Sequence, residues 1–254
     1  GVAIATVIAN VVSSTILLIK LTRAKQWIHL DVRKLKIDGK CLSRILKIGL
    51  PAGIQSAVFN LANLVIQAAI NSLGTVVIAA SSAGYNIEIL VYYIFNSFSQ
   101  ACTTFVGQNY GAGQIKRCRR TLFLCLIEDT ITSIAAIIII LSSGRALLSL
   151  FNKDPQVISL GYTRLVMIFT AYIFSMLYEV MSGYLRGFGI SLVPAILTII
   201  GVCGIRIAWV YTAFPQNRTF HTLLMAYPIS LSVTAVLILI ALLVYHPAKR
   251  FGNK

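Results

Sequence analysis

Acidic residues are scarce in this chain of 254 residues. It contains 7 Asp and Glu against 22 Lys and Arg, and all charged residues together make up 11% of it. A soluble domain needs roughly 25% charged residues to cover its surface, so the composition excludes an ordinary soluble protein. The net charge of +15 is carried by short segments between apolar runs, which argues against a nucleic-acid partner.

Cysteine motifs and nucleotide-binding motifs are also missing. The five cysteines form no Cys-x-x-Cys pair, so we interpret them as small apolar side chains rather than disulfides or metal ligands. No glycine loop precedes a Lys-Ser or Lys-Thr pair, which excludes the phosphate-binding loop of ATP-driven proteins. No nucleophile–base pair and no His-x-x-x-His spacing appear. We therefore predict that the protein is not an enzyme, with no catalytic residue, metal site or organic cofactor.

The chain has long apolar runs instead. Hydrophobic residues make up 57% of it, and the mean hydropathy is +0.84. Seven runs are long enough to cross about 30 Å of hydrocarbon as helices. They cover residues 2–20, 49–73, 77–106, 119–143, 157–185, 192–214 and 222–246. The sequence thus predicts an all-α polytopic membrane protein, and the apolar start at Gly1 leads us to expect a fragment of a longer one.

Basic residues fall on one side of these runs. Lys and Arg are concentrated in residues 20–47, in residues 116–120, at Arg186 and in residues 249–254, whereas the loops between these segments carry few. The positive-inside rule assigns such segments to the cytoplasm. We therefore predict an outside amino end and a cytoplasmic carboxyl terminus.

Three of the runs carry polar residues on one helix face, because residues three or four apart are neighbours on a helix. The faces are Ser56, Asn60, Asn63, Gln67 and Asn71; Tyr85, Glu88, Tyr92, Asn96, Ser99 and Thr103; and Tyr172, Ser175, Glu179, Ser182 and Arg186. A single polar residue in a span commonly joins helices by a hydrogen bond. Three faces, two of them with a carboxylate that is costly to bury, predict a polar cavity inside the bundle.

The residues of this cavity favour a cationic, partly apolar ligand, through charge and cation–π attraction. We predict that Glu179 and Glu88 bind a coupling cation. The predicted cavity walls are Asn60, Asn63, Gln67, Tyr92, Asn96 and Ser175. Glu128 and Asp129 would be buried if the fourth run begins near Arg119 and interfacial if it begins near Thr130, and we favour the interfacial interpretation of that pair.

Three motifs give the chain a family resemblance. Gly49-Leu50-Pro51 opens the second run, with the proline in its first turn, where the missing N–H has no helical partner. Gly107-Gln108-Asn109 closes the next run, and residues 185–189 (Leu-Arg-Gly-Phe-Gly) end a later one. In order and spacing these motifs resemble the carboxyl-terminal lobe of multidrug and toxic compound extrusion (MATE) transporters. Their residues are most similar to those of the bacterial, Firmicutes-like branch.

The resemblance covers nearly the whole chain and implies its domain organisation. Residues 1–20 would be the last helix of an amino-terminal lobe. Residues 21–47 would be a basic cytoplasmic linker between lobes, residues 48–247 a six-helix carboxyl-terminal lobe, and residues 248–254 a cytoplasmic tail.

The resemblance further implies a secondary active antiporter of the bacterial plasma membrane, exporting organic cations or drugs in exchange for Na⁺ or H⁺ by alternating access. Its partners would be the organic cation, the lipid bilayer and the missing amino-terminal lobe, which would supply half of the cavity. Many family members carry a glutamate where this chain has Phe59, so coupling through Glu179 and coupling through the missing lobe both stay open. The alternatives are a flippase for lipid-linked precursors from the same superfamily and a seven-helix receptor or sensor.

Overall fold

A computed structural model of the protein describes residues 2–23, 30–31 and 36–247. The α-helices are Val2–Arg23 (α1), Gly39–Asn71 (α2), Thr75–Gly111 (α3), Ile115–Ser149 (α4), Pro155–Gly187 (α5), Leu192–Thr198 (α6), Ile205–Thr212 (α7), Phe220–Leu224 (α8) and Ala226–Tyr245 (α9). A π-helical turn, Ile199–Gly204, joins α6 to α7. Seven helical segments among the described residues are long and apolar enough to cross a membrane. The predicted all-α, seven-span membrane fold is therefore confirmed.

The chain divides into two compact units, residues 1–45 and 46–254. Helix α1 belongs to the first unit, and its side chains from Ile4 onward are largely exposed. The second unit contains most of α2 and all later helices, and with them every predicted site residue. The assignment of residues 48–247 to one lobe stays a prediction. Much of the linker, and the tail 248–254, lie outside the described residues.

Helix α2 begins at Gly39 rather than at Gly49, where the sequence predicted its start. Asp38 favours this earlier start, because its Oδ1 accepts a hydrogen bond from the backbone N–H of Cys41 at 2.9 Å and so satisfies one of the unpaired donors of the first turn. Hydrogen bonds from the backbone N–H groups of Cys41 and Lys40 lower the pKa of Asp38, since they stabilise the ionised carboxylate.

Pro51 consequently lies in the interior of α2, and its predicted place in the first turn is wrong. A proline inside a helix leaves the carbonyl four residues earlier without its helical partner. Here that carbonyl belongs to Lys47, and the hydroxyl of Ser191 donates a hydrogen bond to it at 3.3 Å. The side chain of the residue that precedes α6 thus replaces the lost bond, as membrane helices with proline require.

Helix α5 is the centre of the second unit and packs against α3, α4 and α9. The α3–α5 contact is very close at Gly183, where an added Cβ would lie 2.5 Å from the carbonyl oxygen of Ser99. The hydroxyls of Ser99 and Thr103 donate hydrogen bonds to the carbonyls of Glu179, at 2.7 Å, and Gly183, at 3.0 Å. Small and hydroxylated residues are the usual means by which membrane helices approach closely.

The sixth membrane segment is not a regular helix. Its π-helical turn fits closely against α9, where a Cβ on Gly201 would collide with Thr234. A π turn inserts an extra residue into an α-helix and is frequent at functional sites. The residue two positions after this turn is Arg206, whose side chain is buried.

The glycine-rich segment 106–120 is mostly helical. Helix α3 continues to Gly111 and α4 starts at Ile115, so only residues 112–114 connect them. Gly113 has φ +72°, a backbone conformation that favours glycine. The cations between residues 116 and 120 are exposed in the first turns of α4, where the helix dipole disfavours positive charge. Helix stability therefore does not explain them, and their cytoplasmic location stays a prediction.

Candidate functional site

The polar faces of α2, α3 and α5 line three adjoining cavities in the second unit, and all three share Asn63 and Tyr85. The glutamate cavity, named for Glu179, has a volume of about 440 Å³. The aromatic cavity, with walls that include Tyr172, Tyr178 and Tyr227, is much smaller, at about 80 Å³. The amide cavity, named for Gln67, has about 560 Å³.

All eight predicted site residues lie on the walls of these cavities. The glutamate cavity contains Asn60, Asn63, Tyr92, Asn96 and Glu179. The aromatic cavity contains Asn63, Glu88, Tyr92 and Ser175. The amide cavity contains Asn60, Asn63 and Gln67, and the Nε2 of Gln67 donates a hydrogen bond to Asn71 Oδ1 at 2.9 Å. Their roles in ion coupling and cargo binding stay predictions.

Glu179 has a loose ionic partner. Its Oε2 lies 3.6 Å from Nη2 of Arg186, and the side chains are 12% and 21% exposed, respectively. The same Nη2 donates a hydrogen bond to Ser99 Oγ at 3.0 Å. Ser99 Oγ thus accepts a hydrogen bond from Arg186 and donates one to the backbone carbonyl of Glu179. The Glu179 carboxylate remains accessible from the glutamate cavity.

Glu88 is held much more tightly. Its Oε2 lies 2.7 Å from Nη2 of Arg164, with side-chain exposures of 7% and 3%. Its Oε1 accepts a hydrogen bond from the hydroxyl of Tyr172 at 2.8 Å, and Arg164 Nη1 donates one to Ser81 Oγ at 3.1 Å. Because both carboxylate oxygens of Glu88 have partners, Glu179 is the more available of the two predicted coupling residues.

Sequence reasoning missed two buried arginines. Arg164 lies on the polar face of α5, and extending that face from Tyr172 by two steps of four residues reaches it. Arg206 lies in α7, where the residues three and four positions away on either side are apolar, so no polar face indicated it. Both side chains line the cavities, which places more positive charge there than the sequence predicted.

Asp129 is buried between the helices. It is 1% exposed and lies three residues, about 4.5 Å by helix rise, from the midpoint of α4, while its depth in a bilayer stays a prediction. Ser133 Oγ donates a hydrogen bond to its Oδ1 at 2.9 Å. Its Oδ2 has no hydrogen-bond partner among the described residues. Its neighbour Glu128 is exposed.

Metal-binding potential is limited in the part of the chain that the structure describes. No group of three or more His, Cys, Asp and Glu side chains there is placed to hold a metal ion.

Fold and cavities define a polytopic helical membrane protein with polar side chains gathered inside its bundle. The MatE family model matches residues 51–212, more than half of the chain, and the chain belongs to this family. The resemblance seen in the sequence motifs is therefore confirmed. Membership does not favour the seven-helix receptor or the flippase.

The known relatives are longer than this chain. It is similar to the probable multidrug resistance protein YoeA of Bacillus subtilis, with 24% identity over 94% of this chain and 52% of that protein. The probable multidrug resistance protein NorM of Thermotoga maritima is 27% identical over 82% of this chain and 44% of its own length. A crystal structure of MATE in complex with MaL6 superposes with a TM-score of 0.86 at 17% identity, over 98% of this chain and 57% of that one, which shows a shared fold. The chain thus spans about half the length of the curated relatives it matches.

Proposed function

We propose that this protein is part of a secondary active transporter that exports small organic molecules from a bacterial cell in exchange for Na⁺ or H⁺. The single observation that carries the proposal is the glutamate cavity, a polar space between membrane-spanning helices with an accessible carboxylate, Glu179, on its wall. A charged residue inside a membrane bundle commonly marks an ion or substrate pathway.

The length of the relatives supports a two-lobe arrangement. A second lobe ahead of this chain would close the glutamate cavity from the other side. Rocking of two such lobes about a binding site near the bilayer midplane is the usual form of alternating access. The π-helical turn and the Pro51 interruption of α2 supply irregular backbone beside this site.

Glu179 is the proposed coupling residue. Its ion pair with Arg186 is long, at 3.6 Å, so an incoming Na⁺ or H⁺ can compete with Arg186 for the carboxylate. Binding of the ion neutralises Glu179 and weakens its attraction for the positive part of a cargo. The ring of Tyr92 in the same cavity offers a cation–π surface to that part.

The test is transport by the full-length protein in inside-out vesicles that carry an imposed Na⁺ or H⁺ gradient. We expect Glu179→Gln to abolish gradient-driven uptake of a fluorescent organic cation, since glutamine keeps the size of the side chain but carries no charge. Substitution of the exposed Glu128 by Gln is the matched control and leaves uptake unchanged. Full gradient-driven uptake by Glu179→Gln overturns the coupling role, and imposing each gradient separately identifies the coupling ion.

A further inference from the structure

Arg206 is a buried cation in the wall of the aromatic cavity. Its residue is 4% exposed, and it lies in the first turns of α7, directly after the π-helical turn. The described residues include no carboxylate oxygen within 4.0 Å of its guanidinium nitrogens. A buried cation without a counter-charge is strongly unfavourable, so the presence of Arg206 at this position calls for an explanation.

The neighbours of Arg206 are neutral. Its Nε donates a hydrogen bond to Ser230 Oγ at 3.2 Å, and its Nη1 makes a longer one, 3.5 Å, to Asn63 Oδ1. The guanidinium lies over the rings of Tyr227, at 4.3 Å, and Phe59, at 5.5 Å. These groups hold the side chain in one orientation but leave its positive charge uncompensated.

The two other arginines of the cavity walls differ in this respect. Arg164 is paired with Glu88 and Arg186 with Glu179. Each of these two ion pairs is neutral as a whole, so the positive charge of Arg206 is the one that remains uncompensated. The aromatic cavity therefore presents a positive centre within walls made largely of rings.

We propose that Arg206 binds an anionic group of the transported molecule, a carboxylate or a phosphate, and that Phe59, Tyr85 and Tyr92, which line both the aromatic and the glutamate cavity, hold the flat body of that molecule. This deepens the proposed function and rests on it. A guanidinium suits both anions, because its planar donors match two of their oxygens at once. Hydrogen bonds to Ser230 and Asn63 fix the orientation in which the guanidinium meets the anion.

The position of Glu179 extends this inference to the whole cargo. The glutamate and aromatic cavities share Phe59, Asn63, Tyr85 and Tyr92, so one molecule can reach both. An acidic part at Arg206 compensates the charge that the two ion pairs leave over, and a positive part near Glu179 can compete with Arg186 for that carboxylate. The preferred cargo thus carries an anionic group on an aromatic body.

The experiment compares two dyes that differ in one group. Rhodamine B carries a free carboxylate beside its cationic ring system, and its ethyl ester lacks only that negative charge. Binding to the full-length purified protein is followed by fluorescence anisotropy. We expect rhodamine B to bind at least about tenfold more tightly than the ester, as the loss of a charged hydrogen-bonded pair predicts.

A second pair tests the phosphate. Flavin mononucleotide and riboflavin share a flat ring and differ in a phosphate group. Arg206-dependent preference for the anionic member of either pair supports the proposal and identifies the anion. Absence of such a preference in both pairs overturns it.

Three variants test whether Arg206 causes the preference for the anionic member of each pair. Arg206→Gln should reduce the affinity ratio of acid to ester to about one, because glutamine donates hydrogen bonds without charge. Arg206→Lys should retain part of the preference, since it keeps the charge but not the planar fork. Arg145→Gln, at an exposed arginine that lies over Tyr162, is the matched control with an unchanged ratio. Both dyes are measured on the same preparation, so partial misfolding affects the binding of both equally and leaves their affinity ratio unchanged. An Arg206→Gln variant that keeps the ratio of the parent protein contradicts the proposal.

The two proposals fail in different ways. If the ethyl ester is exported under an ion gradient but rhodamine B shows no Arg206-dependent preference, only the anion site is wrong. If neither dye, neither flavin and no organic cation is exported by the full-length protein under any imposed gradient, the transport function itself is wrong.

Discussion

Glu88 and Arg164 form a buried ion pair 2.7 Å long between α3 and α5, and Tyr172 completes it with a hydrogen bond. Such a pair contributes little net stability when both partners are present, but the removal of one leaves an uncompensated buried charge. Its structural effect and its possible effect on ion coupling can therefore be separated by changing the partners singly and together.

We predict that Glu88→Gln lowers the free energy of unfolding by about 3–5 kcal/mol. The double variant Glu88→Gln with Arg164→Met should recover most of this loss, because it removes both charges and keeps the volume. Denaturant unfolding of the full-length protein in detergent measures both values. A loss in the double variant as large as the losses of Glu88→Gln and of Arg164→Met alone added together contradicts this prediction. The exposed Arg145→Gln serves again as the control and should stay within about 0.5 kcal/mol of the parent.

Single residues show where sequence reasoning succeeds. The eight predicted residues lie on cavity walls because regular α-helices preserve the spacing of three and four on which the prediction depends. Arg206 escaped notice because it follows a π-helical turn and has apolar neighbours at helical spacing. Asp129 is buried in a helix that begins at Ile115, four residues before the start that the sequence predicted for the fourth run.

At the scale of elements, the contact between α3 and α5 positions both Glu88 and Glu179. It depends on Gly183, whose missing side chain lets the backbone of Ser99 approach. The sequence marked the polar faces of both helices, but it could not show that they touch through this glycine. The sequence around Pro51 likewise did not indicate that Ser191 would donate a hydrogen bond to the Lys47 carbonyl, which Pro51 leaves without its helical partner.

We predict that Gly183→Ala destabilises the protein by about 1–3 kcal/mol, as overpacking in a well-packed core does. The Cβ would lie 2.5 Å from the Ser99 carbonyl oxygen, so α3 and α5 must separate. Gly53→Ala in α2 is the matched control, because a Cβ there meets nothing within 4 Å and alanine favours a helix by about 1 kcal/mol. Thermal unfolding of both variants in detergent decides the matter, and equal stability of the two would refute the close-contact argument.

At the scale of the whole molecule, the excess of basic over acidic residues follows the membrane topology. The seven spans could be predicted because each apolar run is long enough to cross a bilayer by itself. The cytoplasmic assignment of the basic segments depends on the positive-inside rule, and a helix bundle without a bilayer does not test it. A natural cysteine provides the test.

Cys41 is exposed near the start of α2, whereas Cys102, Cys118, Cys125 and Cys203 are buried. If the basic segment 20–47 is cytoplasmic, a membrane-impermeant maleimide should label Cys41 in inside-out vesicles and leave it unlabelled in right-side-out vesicles. Peptide mapping identifies the labelled thiol, and Cys41→Ser removes the signal.

The opposite face can be tested in the same Cys41→Ser background. Lys153 is exposed in the loop after α4, which the charge pattern assigns to the outside, so Lys153→Cys should be labelled only in right-side-out vesicles. Two reciprocal results are needed, because labelling of Cys41 alone could follow from leaky vesicles. Labelling of Cys41 from outside together with Lys153→Cys from inside reverses the orientation. It would also reverse the direction in which the proposed Glu179 and Arg206 sites pass their cargo.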